Sequence, residues 1–178
     1  MRKLLATLMV LAALAACNPP AMKAYAYPKW GFAASFWAPP QAVDTPAGPG
    51  KPHTLLLESK QAGRDFVVSV MEGVRPGVSI DQIGPAMTRQ AAKAMGGEVG
   101  PQTYESTAEG VLGRGYLITR AGKPFAVVRA FLANDRFYQI GAQSTLGTDD
   151  PAVKSFLDAF RITAAPPPSA ADATTSGA

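Results

Sequence analysis

Cys17 is the only cysteine of the 178-residue chain and His53 its only histidine, so thiol or imidazole chemistry would have to pass through one of them. A zinc-type metal centre needs three or four ligands, and one histidine without a second cysteine does not make a set. A serine triad wants its nucleophile on a sharp strand-to-helix turn, and the G-x-S-x-G pattern is missing from the sequence. His53 therefore reads as a surface residue at the start of a strand. Glu105 and Glu109 are close enough in sequence to pair as acid and base. They fall in a polar Glu-Ser-Thr-Ala-Glu stretch that reads as a solvated connection, where nothing would push their pKa values apart.

Gly110, Gly113 and Gly115 surround Arg114 without making a phosphate loop. Neither G-x-x-x-x-G-K-[ST] nor a G-x-G-x-x-G run opening a helix occurs, because Tyr116-Leu117-Ile118 continues as strand. These glycines read as a bulge or a close approach inside a sheet. No catalytic residues, metal ligands or cofactor motif can be assigned, and the chain is not expected to be an enzyme; a hydrolase is the third-ranked reading.

The surroundings of Cys17 are more specific. Arg2 and Lys3 precede an uncharged run from Leu4 to Ala16, which is the length of a secretory apolar region and short of the roughly 20 residues needed to cross a bilayer. Asn18-Pro19-Pro20 ends that run. Leu14-Ala15-Ala16-Cys17 resembles the lipobox of bacterial lipoproteins, which implies cleavage after residue 16 and a diacylglyceryl group on the Cys17 sulfur. The alternative, an ordinary secretory peptide cut at an Ala-x-Ala site, would leave an unpaired thiol in an oxidising compartment. Several acyl chains anchor firmly where one does so only marginally. Asn18 stands where lipoproteins retained in the inner membrane commonly carry Asp. That implies the periplasmic face of the outer membrane if the host has two membranes.

Without Arg2 and Lys3 the formal net charge falls from +4 to +2, and the basic residues are spread along the chain, so an electrostatic footprint for nucleic acid is missing. With Cys17 lipidated no disulfide is available, and roughly 140 residues remain to build one core. Residues 1–16 read as signal peptide, 17–24 as lipidated cysteine and tether, and 25–163 as one domain. The tail, 164–178, holds only Ala, Pro, Ser, Thr, Gly and one Asp and reads as disordered.

Within the domain, residues 31–38 read as an aromatic strand closed by Pro39-Pro40. Residues 51–59 and 64–71 read as a hairpin turning at Gln61-Ala62-Gly63, with Phe66, Val68 and Val70 facing the core. Ser79 and Gln82 match a capping box, Gly84-Pro85 puts the start of the regular helix at Pro85, and Ile83, Met87, Ala91 and Met95 form its stripe. Strands at 98–104, 111–119, 124–133 and 136–144 follow too closely to be parallel. Thr148-Asp149-Asp150-Pro151 opens a second helix, with Val153, Phe156, Leu157 and Phe160 on its apolar side. A mainly antiparallel sheet flanked by helices is an α+β layered domain.

Residues 30–162 resemble the PsbP-like superfamily of α/β/α sandwiches, in particular small bacterial lipoproteins related to DcrB. The resemblance is carried by Phe32 to Pro40, by Arg129-Ala130-Phe131 through Asn134-Asp135-Arg136-Phe137-Tyr138, and by Phe156-Leu157-Asp158-Ala159-Phe160-Arg161-Ile162. These are packing motifs. The resemblance implies a fold and a role in binding or stabilising other macromolecules, and it carries over no catalytic residue.

Two groups of residues offer a surface for a partner or ligand. Trp30 and Trp37 belong to an aromatic set with Tyr25, Tyr27, Phe32 and Phe36, which reads as core packing, as a groove for lipid or peptide, or as membrane contact. Arg114, Arg129 and Arg136, with Arg120 and Lys123, lie on neighbouring strands, where alternation could gather several into a basic patch. The expectation is a non-catalytic module, held on the membrane through Cys17, that binds an envelope protein. A carrier or sensor of a small apolar or anionic ligand, seated between the sheet and the first helix, is the alternative. Closed contact by Ile83, Met87 and Met95 suits the first; an apolar pocket of several hundred cubic ångströms under that helix suits the second.

Overall fold

The computed structural model describes residues 21–163; the expected signal segment, Cys17, residues 18–20 and the 164–178 tail lie outside the described residues. In chain order the elements are β1 (Lys23–Tyr27), a 3-10 turn (Pro28–Trp30), β2 (Phe32–Phe36), β3 (Gln41–Thr45), β4 (Thr54–Gln61), β5 (Arg64–Glu72) and helix α1 (Ile80–Ala94). They continue as β6 (Glu98–Ala108), β7 (Val111–Arg120), β8 (Lys123–Ala133), β9 (Arg136–Ser144), helix α2 (Pro151–Asp158) and β10 (Arg161–Ile162). Seven strands make one antiparallel sheet in the order β3-β4-β5-β9-β8-β7-β6, and β1-β2-β10 make a small second sheet.

Alternation along β4, β5 and β9 sorts side chains between two layers. Leu55, Leu57, Phe66, Val68, Val70, Tyr138 and Ile140 point to one face, where they bury Trp30, Phe32 and Phe36 of the small-sheet layer and Val153, Phe156, Leu157 and Phe160 of α2 and its C-terminus. On the other face α1 lies over β6, β7 and β8, and Ala92 packs with Tyr116, Ile118, Ala126, Val128 and Ala130. The molecule is thus the α+β sandwich expected, with a mainly antiparallel sheet between layers.

Several boundaries differ from the sequence reading. Pro85 does not start α1; the helix runs unbroken from Ile80, with Pro85 inside it. The capping box is formed, Ser79 N–H donating to Gln82 Oε1 at 2.8 Å, and this satisfies the first turn strongly enough to carry one lost backbone bond. Glu105 is not in a loop, because β6 extends to Ala108 and pairs Glu105 with Arg114 across the ladder. The sequence reading missed β1, β3 and β10: Lys23 and Ala24, read as tether, pair with Phe36 and Ser35. The hairpin turn is where it was expected, with Ala62 at φ 47° and Gly63 at φ 75°.

Gly113 and Gly115 owe their place to close approach. A Cβ on Gly115 would sit 2.1 Å from the Tyr104 ring, and one on Gly113 would sit 2.3 Å from the Ala130 carbonyl oxygen. The tyrosine lies across the strand where the glycine leaves room for it.

An ion pair between a buried carboxylate and a half-buried arginine fastens α2 to the sheet. Asp150 is the N-cap of α2, accepting from Ala152 N–H at 3.0 Å, and it also takes Arg64 Nε at 2.6 Å and Ser144 Oγ at 2.6 Å. The Arg64 hydrogen bonds hold its carboxyl down to about 2 against the opposing effect of burial, with Ser144 and the Ala152 N–H adding to the lowering. A carboxylate with a depressed folded pKa stabilises the fold above its unfolded value near 3.9 and loses that contribution as pH falls through about 2. Asp150→Asn keeps an N-cap acceptor but loses the charge that accepts from Arg64, and should cost about 1.5–3 kcal/mol at neutral pH, the scale of a hydrogen bond to a charged group. In thermal unfolding scans from pH 7 down to 2, the gap between the two proteins should stay full above about pH 4 and close towards pH 2.

Candidate functional site

A half-open groove of about 510 Å³ lies beside α1, over the part of the seven-stranded sheet that the helix leaves uncovered. Its floor follows from register. Leu56, Ser69, Gln139 and Ala130 stand opposite one another across β4, β5, β9 and β8; Glu58, Val67, Gly141 and Val128 form the next row; Lys60, Asp65, Gln143 and Ala126 the third. Residues directly opposite share a face, so all three rows point to the α1 side. The wall is α1 itself, through Met87, Gln90, Ala91, Ala94 and Met95.

Leu56, Val67, Gly141 and Val128 give the floor its apolar part, interrupted by Glu58, Ser69 and Gln139, and the outer end at Lys60, Asp65 and Gln143 is polar. Gln139 is buried and its Nε2 donates to Thr88 Oγ1 at 3.4 Å, tying floor to wall. At the outer end Gln143 Nε2 hydrogen bonds Asp65, and Lys60 stands exposed beside them. Gly141 is notable because neither backbone nor packing demands it. Its φ is not in the left-handed region, and a Cβ there would meet only Val128 Cγ2 at 3.7 Å and the Val127 carbonyl at 4.0 Å. A glycine at that position keeps the floor low. The helix is thus closed onto β6–β8 by Ile83, Met87 and Met95, while Met87 and Met95 also border open space.

The aromatic and basic residues picked out from sequence do not converge on this groove. Trp30 is buried in the core, and Trp37 packs against it, 5.0 Å from the Phe66 ring. Arg114 stands opposite Ala130 and Gly115 opposite Arg129, so the two arginines project to opposite faces. Each has an acidic partner: Arg114 reaches Asp81 of α1 at 2.8 Å and Glu105 at 3.3 Å, Arg129 reaches Asp158 of α2 at 2.9 Å, and Arg136 reaches Glu72 at 2.8 Å. Arg120 donates to the Met95 and Gly96 carbonyls at 2.6 and 3.0 Å, closing the α1 C-terminus. The hydrogen bonds to Asp81 and Asp150 raise the Arg114 and Arg64 pKa values further above their ordinary range.

His53 is more committed than a surface strand-start residue. It is half-buried against Trp30, with ring centroids 4.5 Å apart; Nε2 lies 2.6 Å from Asp44 Oδ1 and Nδ1 2.9 Å from Glu72 Oε2. Carboxylates only accept, so the two contacts are complete when both ring nitrogens carry hydrogen. Neither nitrogen is left to serve a nucleophile. The imidazole clamps β3, whose five residues are all exposed, to β5. Among the described residues no group of three or more His, Cys, Asp or Glu is arranged to hold a metal, and no helix is long and apolar enough to cross a membrane.

The sequence reading placed a pocket between the sheet and the first helix only as its alternative, and named Met87 and Met95 but none of the floor residues. The signal for that floor was the runs Leu55-Leu56-Leu57 and Val67-Val68, where apolar residues on both faces of a strand mark cover on both sides.

No family model matches the chain, and no curated protein does. Its fold is similar to the solution structure of cyanobacterial PsbP (CyanoP) from Synechocystis sp. PCC 6803, with a TM-score of 0.55 over 83% of this chain and 95% of that one, at 9% sequence identity. The likeness shows a PsbP-like α+β fold.

The His53 clamp gives a local test. His53→Ala should speed amide hydrogen exchange in residues 41–45 by about tenfold, the factor that a loss of roughly 1.4 kcal/mol produces, and leave β5 and β9 protected. Unchanged exchange in β3 would show that the backbone ladder alone holds it.

Proposed function

We propose that this chain is a lipid-anchored protein of the bacterial cell envelope, related to the DcrB-type lipoproteins, and that it acts as a non-catalytic module binding an envelope component. The observation that carries the binding role is the groove beside α1, kept open by Gly141 on the floor and bordered by Met87 and Met95. Methionine side chains are unbranched and polarisable and adapt to a range of apolar shapes. A floor that mixes Leu56, Val67 and Val128 with Ser69, Gln139 and Gln143 suits a polypeptide segment, which offers both side chains and backbone amides. The lipobox-like residues ending at Cys17 support the anchor, and the position of Asn18 supports the outer membrane of a diderm host.

The volume of the groove favours the second reading as well. About 510 Å³ falls within the range of small-molecule sites, and a carried ligand of mixed apolar and polar character would fit it.

One comparison separates these readings. Gly141→Leu raises the floor and Ala94→Trp, at an exposed helix position, crowds the wall without touching the core. Captured from native envelope in mild detergent, the unaltered protein should bring down a protein partner that both variants lose by tenfold or more while keeping the same thermal midpoint. Co-purification of a small molecule, lost in the same variants, would establish the carrier. A partner retained by both variants would remove the groove from the account.

A further inference from the structure

The two ends of the sheet differ in a way that sets how the domain meets a membrane. Resting on the reading of Cys17 as lipidated, we propose that one end lies against the bilayer. This end is formed by the β4–β5 turn, the β7–β8 turn and the β9–α2 loop; Leu146 enters the lipid interface, and Lys23, Lys60 and Lys123 are set around it for headgroup phosphates.

The place where the chain enters carries the argument. Ala21 stands four residues from Cys17, so the cysteine lies within about 14 Å of it. From there β1 begins at Lys23, which pairs with Phe36 at the last residue of β2. Beyond Phe36, Trp37 packs tilted against Phe66, and the Ala38 carbonyl accepts from Ser59 Oγ at 3.0 Å. These contacts place the chain entry beside the β4–β5 turn. Gly63 of that turn accepts from Thr145 N–H at 3.0 Å, and Leu146 follows directly.

Leu146 is 73% exposed, ahead of Val43 at 57%, and so is the most exposed of the large apolar side chains that stand out in the described residues. A single exposed leucine needs no explanation by itself. Its coincidence with the anchored end does, because an interfacial side chain can contribute only where the tether brings it to the lipid. Lys23, Lys60 and Lys123 are exposed at this end against Asp149 and Glu98 and would meet the headgroup phosphates of an anionic leaflet; Lys29, Lys51 and Arg75 are exposed at the other end, so it is the chain entry and Leu146, and not charge, that choose between the two.

The opposite end carries His53, Arg75, the Asn134-Asp135 turn and Thr163, whose N–H donates to the Gly31 carbonyl at 2.8 Å. It is separated from the first end by the nine residues of β9, roughly 30 Å at about 3.4 Å each. A domain seated on the first end holds the second clear of the headgroups. The groove reaches the seated end through Lys60, Asp65 and Gln143.

The test uses the full lipidated chain in vesicles of phosphatidylethanolamine and phosphatidylglycerol. An environment-sensitive dye is placed at Leu146→Cys in one protein and at Arg75→Cys in another, and a spin-labelled lipid serves as the quencher. Quenching several-fold stronger at 146 than at 75 is expected, and equal quenching or stronger quenching at 75 would overturn the orientation. Flotation with the vesicles reports the anchor separately: it should be lost in Cys17→Ser. A chain that floats with position 146 unquenched refutes the orientation and leaves the anchor standing. Flotation unaffected by Cys17→Ser, or no flotation of the unaltered chain, refutes the anchor and the orientation with it.

Discussion

A sheet of seven strands is wider than one helix can cover, and most of this molecule follows from that. At about 4.8 Å per strand the sheet is some 30 Å across, while a helix with its side chains covers about 10–12 Å. On one face the problem is solved by a second sheet and α2 together, which bury Trp30, Phe32, Phe36 and Phe156 against Phe66, Val68 and Tyr138. On the other face there is only α1, fifteen residues long. It covers Tyr116, Ile118, Ala126 and Val128 completely and leaves Leu56, Val67 and Ser69 half-buried at the edge of a groove. The open surface is a consequence of unequal cover, and Gly141 deepens it.

Arginine has a consistent use in this architecture. Arg64 holds the N-cap of α2, Arg114 reaches the first turn of α1, Arg120 closes the α1 C-terminus, and Arg129 meets the last turn of α2. Arg136 bridges Glu72 to the Lys29 carbonyl and so joins the β3–His53–β5 clamp to the small-sheet layer. A planar fork of donors suits this work, since one side chain can hold a carboxylate and a carbonyl at once. The modest basic surplus is thereby spent largely on fastening layers together, and the exposed lysines that remain are spread over both ends of the sheet.

Much of the fold was legible because its signals are local. Alternation in Phe66, Val68 and Val70, the short connections after residue 98, the Ser79 capping box and the Asp150-Pro151 helix start each depend on a few neighbouring residues. The missed elements depend on partners far away in the chain. β1 is a strand because β2 lies beside it, β10 is two residues long, and β3 has no buried side chain at all and is held by its ladder and by His53. Pro85 misled in the same way, since a packed helix with a formed capping box tolerates a proline that local rules place at a boundary. The arginine patch failed for a geometric reason: adjacent registers put Arg114 and Arg129 on opposite faces, and acidic partners more than twenty residues away absorb both. The groove, being a lack of cover, left only a weak signal in the apolar runs Leu55-Leu56-Leu57 and Val67-Val68, so a pocket between sheet and helix stood as the alternative and its floor residues went unnamed.

The most direct measurement of the central claim is methionine oxidation footprinting of the protein on native envelope membranes and after purification. Met87 and Met95 border the groove, and Met71 packs elsewhere against the α1-side core. A groove that works as the binding surface should slow oxidation of Met87 and Met95 several-fold in the envelope and leave Met71 unchanged. Equal oxidation of Met87 and Met95 in the two states would contradict it.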